Sequence, residues 1–179
     1  VAIITGSYGF LGLACILGLI NIKLYLFQTQ KNAALVRLNI QEITYITEMT
    51  MTVGLFMLTI GTFLGGVWAN ESWGRYWGWD PKETWALVSV LVYSVILHFR
   101  MIPGLQGRFL FSALAFWGYS AILFTFFGVN FMLVGLHSYA QGEGLGQFPT
   151  WLIYMIIIFA LLTTVAALRN RRIERLQKE

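Results

Sequence analysis

Residues 49–70, MTMTVGLFMLTIGTFLGGVWAN, run for 22 positions without Asp, Glu, Lys or Arg. Coiled as a helix, that stretch is about 33 Å long, enough to cross a hydrocarbon core of about 30 Å. Residues 1–22 and 144–168 are uncharged over comparable lengths. Hydrophobic side chains make up 58% of the chain and charged ones 11%, where a soluble domain carries roughly a quarter charged, so much of the surface must face lipid. Working outward from these stretches, the pattern predicts an all-α, polytopic membrane bundle with helices near 3–27, 46–68, 83–101, 109–133 and 149–168. The first stretch has no starting methionine and no basic n-region, so Val1 is expected to be an interior point of a longer polypeptide.

The third helix has the clearest start. Asp80 suits the N-cap, Pro81 the first helical position, and Glu83 completes a capping-box pattern. Its far end leads into a tight connection marked by Pro103, Gly104 and Gly107. Residues 28–45 read as a polar helix or lip at the membrane surface, and 169–179 as a short basic, phospholipid-facing extension of the last helix. No repeat or linker divides the chain, and 1–179 is expected to form a single membrane domain.

Lys and Arg divide unevenly between the two sides of that topology. Lys23, Lys31, Arg37, Arg100, Arg108, Arg169, Arg171, Arg172, Arg175 and Lys178 fall on one side, and only Arg75 and Lys82 on the other. Cytoplasmic loops are enriched in both residue types, which places the segments after the second and fourth helices outside the cytoplasm, on one face. The spread of these charges between apolar segments excludes a nucleic-acid surface, despite a pI near 9.4. The lone cysteine, Cys15, has no partner for an intrachain disulfide and is expected to pack among apolar residues.

The first outer loop, 68–85, reads WANESWGRYWGWDPKETW and holds five of the seven tryptophans. An aromatic belt at the membrane interface would place one or two such rings at each helix end. Here Trp73, Tyr76, Trp77 and Trp79 share one loop, interrupted by Gly74 and Gly78. Rigid indole faces with N–H donors, and glycines that admit a close backbone, suit a flat conjugated ligand such as a porphyrin. Arg75 or Lys82 could pair with its carboxylates, although Lys82 could equally snorkel from the first helical turn, and Asp80 could serve only as a cap.

Two histidines complete the inventory. His137 lies in the outer segment 134–148, on the same face as the tryptophans, where an imidazole beside an aromatic slot could ligate haem iron. His98 lies inside the third helix, near the opposite face, where an ionisable group marks either a functional path or an interfacial histidine. Their separation along the sequence argues for two sites rather than one metal held by both. Zinc cysteine pairs, phosphate loops and nucleophile elbows are absent from the sequence.

The run WGRYWGWDPKETWAL, residues 73–87, resembles the tryptophan-rich signature of the CcsA/ResC-type cytochrome c biogenesis proteins, the WWD haem-handling superfamily. GLHSYA, residues 135–140, is similar to the segment of that family's second external histidine, and His98 to its intramembrane histidine. The likeness extends over essentially the whole chain, as the C-terminal membrane part of such a protein or of its fused CcsBA form. It implies a bacterial inner-membrane protein, or a thylakoid one in a plastid, that exports haem b and acts as a cytochrome c synthase, or haem lyase. Haem would pass from the inner leaflet to the outer platform, and the Cys-x-x-Cys-His segment of an apocytochrome c would receive it there as thioethers form.

On that resemblance, His137 is an external axial ligand of haem iron, His98 a ligand of membrane haem, and Trp73, Trp77, Trp79 and Asp80 the platform core. The family's first external histidine has no counterpart in these residues and is expected upstream. A ResB/CcsB-like partner or fused domain is expected to bring the other membrane histidine. Two other readings stand beside this one: a carrier delivering haem to a separate chaperone, as in the CcmC branch, and a non-catalytic membrane scaffold.

Overall fold

The computed structural model describes residues 1–132 and 150–176. Among these the chain is entirely helical: α1 (Ala2–Phe27), α2 (Ala33–Trp73), α3 (Pro81–Phe99), α4 (Arg108–Leu123), α5 (Val129–Met132) and α6 (Thr150–Leu176). A π-helical turn, Phe124–Gly128, joins α4 to α5. Five segments are long and apolar enough to cross a membrane: α1, α2, α3, α4 with the π-turn, and α6. The polytopic membrane bundle expected from the sequence is therefore the fold observed.

α1 is the centre of the bundle, with α2, α4 and α6 packed around it. Its buried positions Ser7, Leu11, Ala14, Gly18, Asn21, Ile22 and Tyr25 follow a near-heptad spacing, and so do Val36, Ile40, Thr44, Thr47, Met51, Gly54, Leu58 and Gly61 of α2. Such spacing gives each helix one seam facing its neighbour at a shallow crossing. Small residues set the separation. A Cβ on Gly54 would meet Leu11 Cδ2 at 2.7 Å, and one on Gly18 would meet the Ser112 carbonyl oxygen of α4 at 2.7 Å. Backbones approach closely here because glycine has no side chain, the means by which helices pack in lipid without a hydrophobic driving force.

A polar node ties three helices together. Asn21 Nδ2 donates to Thr44 Oγ1 at 3.1 Å and to Ser112 Oγ at 3.0 Å, while those hydroxyls donate to Ile40 O and Arg108 O in their own helices. The bonds of Asn21 and Thr44 lie in an interior where an unmade one would be costly. Outward-facing positions are apolar instead: Phe56, Phe63, Ile16 and Leu161 are all more than half exposed, a surface matched to lipid.

The structure departs from the expected boundaries in two places. Residues 33–45 are not a separate lip but the first turns of α2, which at 41 residues is about 60 Å long. No glycine or proline interrupts 33–53, and Thr44, Thr47 and Thr50 turn their hydroxyls back onto the carbonyls of Ile40, Ile43 and Ile46. The same helix runs on to Trp73, so the tryptophan-rich stretch is shared among the end of α2, a short connection at 74–80, and the start of α3. The basic extension expected on the last helix is helical as far as Leu176.

Candidate functional site

The site is built on the α2–α3 connection. α2 ends where Gly74 takes a left-handed conformation, φ 70°, and its N–H returns to Asn70 O at 2.8 Å. A side chain would resist that turn, which makes glycine the natural terminator. α3 then starts on a complete capping box: Asp80 Oδ2 accepts from Lys82 N at 3.1 Å, and Glu83 reaches back to Asp80 N at 3.3 Å, with Pro81 in the first turn.

Between these fixed ends Trp79 adopts φ 56°, the one positive value outside glycine among the described residues. A branched or bulky side chain there costs on the order of 1–2 kcal/mol, so something must hold it. Glu83 does. Its Oε2 accepts the Gly78 N–H at 2.7 Å as well as the Asp80 N–H, gripping the amides on both sides of Trp79. The consequence is a tryptophan ring that projects outward, 71% exposed.

The neighbouring rings form two edge-to-face pairs: Trp77–Trp79, with centroids 5.8 Å apart at 87°, and Trp68–Trp73, at 5.3 Å and 77°. Edge-to-face packing leaves the face of one ring in each pair available. Trp77 Nε1 is buried with no acceptor among the described residues, and the Tyr76 ring stands exposed. The Arg75 guanidinium lies across Gly78, where a Cβ would sit 2.6 Å from its central carbon, and it has no carboxylate partner among the described residues. Exposed ring faces, an orphan indole donor and an unneutralised cation fit a planar apolar ligand that carries carboxylates and can accept a hydrogen bond, as haem does.

α3 is anchored to the π-turn behind this loop. Trp85 packs on Phe124 with ring centroids 4.2 Å apart, and Thr125 Oγ1 lies 3.0 Å from Ser89 Oγ and 3.1 Å from Trp85 O. Lys82 Nζ donates to Asn130 Oδ1 of α5 at 3.2 Å. This contact brings the α3 start beside the helix that leads toward His137. His137 and the whole segment 134–148 lie outside the described residues.

His98 occupies the final turn of α3, eighteen residues from Asp80 and so about 27 Å from the tryptophan loop. Its Nδ1 is 2.7 Å from the Ser94 carbonyl oxygen, which can only accept, so Nδ1 carries a proton and, in the neutral ring, the lone pair is on Nε2. The ring is exposed on the outside of the described bundle rather than turned into it. Close by, Arg100 pairs with Glu48 of α2 at 3.0 Å and lies 5.2 Å above the Phe111 ring of α4. The sequence reading put Trp73, Arg75, Tyr76, Trp77, Trp79 and Asp80 on one loop; the structure puts Trp73 at the end of α2, Arg75, Tyr76, Trp77 and Trp79 in the connection, and Asp80 at the cap of α3. Sequence reading missed the Glu83 grip and the π-turn. A Glu three residues after an N-cap hints at the first; the second has no sequence mark.

A multi-pass helical protein with an aromatic loop held open at one end is the class these observations define. The cytochrome c assembly protein family matches residues 1–137, and the chain belongs to it. Protein NrfI of Wolinella succinogenes is 50% identical over 145 residues, which cover 81% of this chain and 16% of that protein. The cytochrome c biogenesis protein CcsA of Synechococcus sp. (strain CC9902) is 48% identical over 99 residues, 55% of this chain and 32% of its own. CcsA of Prochlorococcus marinus (strain AS9601) is 46% identical over 99 residues, again 55% of this chain and 32% of its own. The aligned region thus spans about a sixth of NrfI and about a third of each CcsA. A role in cytochrome c maturation follows from the family.

Proposed function

We propose that this chain carries haem b across the membrane and presents it on the 74–80 loop for covalent attachment to apocytochrome c. The observation that supports this best is the Glu83 grip on Gly78 and Asp80, which maintains a strained backbone in order to keep Trp79 outward. Strain of that kind is retained where a surface has a task. In the proposed roles, Trp73, Trp77 and Trp79 form the face on which the porphyrin lies, Tyr76 extends it, and Arg75 neutralises a propionate. Asp80 keeps the loop's end fixed. His137 supplies an axial nitrogen to haem iron from outside, and His98, with its lone pair on Nε2, supplies one near the opposite face.

Addition of the two thiols of a Cys-x-x-Cys-His segment across the two vinyl groups, each S–H bond giving one C–S and one C–H bond, is the chemistry that haem brings to this surface. The protein's own part is to hold the porphyrin edge toward the incoming segment and to exclude competing ligands. The Lys/Arg imbalance supports an external position for the loop and the 134–148 segment, in a bacterial inner membrane or, in a plastid, a thylakoid membrane. A ResB/CcsB-like domain, fused or separate, completes the two histidine sites, and the synthase, or haem lyase, activity belongs to that whole.

The test is the reduced-minus-oxidised absorption spectrum of the detergent-purified protein together with its ResB/CcsB-like portion. Sharp low-spin haem bands are expected. His137→Ala should remove the external component, and added imidazole should restore it by replacing the missing nitrogen. A preparation that stays colourless when haem is supplied, or a His137→Ala variant with its full spectrum, overturns the reading.

A further inference from the structure

The basic end of the bundle has a feature that neither the haem path nor the fold requires. Between the end of α1 and the end of α6 lies a groove of about 500 Å³, lined by Gln28, Arg169, Arg172, Ile173 and Leu176 among others. A second groove of about 320 Å³, reached past Leu168, shares Arg172 and Leu176 and adds Arg171 and Arg175. Arg169 Nη2 donates to the Gln28 carbonyl oxygen at 3.2 Å, which ties the two helix ends together. None of the four arginines has a carboxylate within ion-pair distance among the described residues. Glu174, the acidic residue on the same turns, instead accepts from Asn170 Nδ2 at 3.0 Å.

Basic residues at a helix C-terminus complement its dipole, and that alone would explain an arginine or two. It does not explain Gln28. This residue lines the groove and is 2% exposed, and its buried Oε1 has no donor among the described residues. A buried amide oxygen left unpaired costs about 1–3 kcal/mol, so a ligand that brings a hydroxyl donor is favoured there. Beside it the arginines call for an anion, and phosphate is what several guanidinium groups hold best. Thr29 and Gln30 complete the polar side of the groove, and Ile173, which is buried, and Leu176 the apolar side; Leu168, exposed in the adjoining groove, ends the apolar stretch of α6 that leads into the bilayer. A soluble anion gains nothing from such walls, whereas an acyl chain runs naturally along them.

We propose that this groove binds the headgroup of an anionic phospholipid of the phosphatidylglycerol kind. The phosphate lies against Arg169 and Arg172, a headgroup hydroxyl donates to Gln28 Oε1, and the acyl chains follow Leu168 and Leu176 into the bilayer. Basic pockets at the ends of membrane helices take lipid headgroups in this way. The bound lipid would fasten α6 to α1, the neighbour against which it chiefly packs.

The experiment is native mass spectrometry of the full chain released from nanodiscs of equal phosphatidylglycerol and phosphatidylcholine. One phosphatidylglycerol is expected to be retained in preference to phosphatidylcholine. Arg169→Gln with Arg172→Gln should lower its retention about tenfold, since each guanidinium contributes separately, and Gln28→Leu a few-fold. Lys23→Gln with Lys31→Gln removes two charges near the same end that line neither groove, and should change nothing. If the double arginine variant fails to fold, Arg172→Gln alone carries the test. Equal loss in the lysine variant, equal retention of phosphatidylcholine, displacement by inorganic phosphate or displacement by haemin would each overturn the proposal. The last two would make the groove a free-anion site or a porphyrin carboxylate port.

Discussion

The two ends of α3 solve opposite problems. At its start, backbone amides are the clients: Asp80 and Glu83 collect the N–H groups of Gly78, Asp80 and Lys82, and the loop before them is shaped residue by residue. At its finish, side chains bridge helices. Arg100 links Glu48 of α2 with the Phe111 ring of α4, while His98, two residues earlier, stands outside this lock. The first arrangement fixes a conformation that is strained, and the second fixes the relative position of three helices and leaves the histidine exposed. A loop that must present flat faces needs its backbone determined; a histidine that meets a ligand arriving from outside needs only a stable platform.

The strongest way to break the first end is from behind. Trp85→Ala removes the ring packed at 4.2 Å on Phe124 and opens a void between α3 and the π-turn. Half-buried as Trp85 is, the loss should be about 2 kcal/mol, with lower thermal stability in detergent and reduced haem retention together. Asp80→Ala comes next. It deletes the N-cap at a cost of about 1 kcal/mol, whereas Asp80→Asn keeps an acceptor for the Lys82 amide and should cost much less. If Ala and Asn melt alike, the cap is not what fixes the loop.

How much of this was legible beforehand follows the same division. The capping box at Asp80 and Glu83 was readable because it depends on residues adjacent in sequence. The bundle was readable because lipid forces long uncharged stretches, such as 49–70, into helices. Contacts between distant residues left no local trace: nothing near Glu48 announces Arg100, and nothing in 28–45 announces that it continues α2. The π-turn at Phe124–Gly128 escaped for another reason, since one extra residue in a helical turn leaves the apolar composition unchanged.

The second end should yield less energy when broken. Arg100→Ala removes a pair whose side chains are 19% and 35% exposed, so solvent already screens it and the cost should stay below about 1 kcal/mol. Arg100→Lys sharpens the point. It keeps the charge but not the planar group over Phe111, and should fall between wild type and Ala in thermal melting. Parity of Lys with wild type would mean that charge alone joins α2 to α3.

The smallest effect on stability and the most telling one belong to the same residue. His98 is exposed, and its Nδ1 bonds to a carbonyl of its own helix, so His98→Ala should alter melting by no more than about 0.5 kcal/mol. If Nε2 serves as an iron ligand, the same variant should starve the tryptophan end of haem while leaving the spectrum of any haem that arrives there unchanged, because the two ends of α3 are separate sites. Should His98→Ala load the outer end as fully as wild type, the imidazole is an interfacial side chain, and the path of haem must begin elsewhere than at the end of α3.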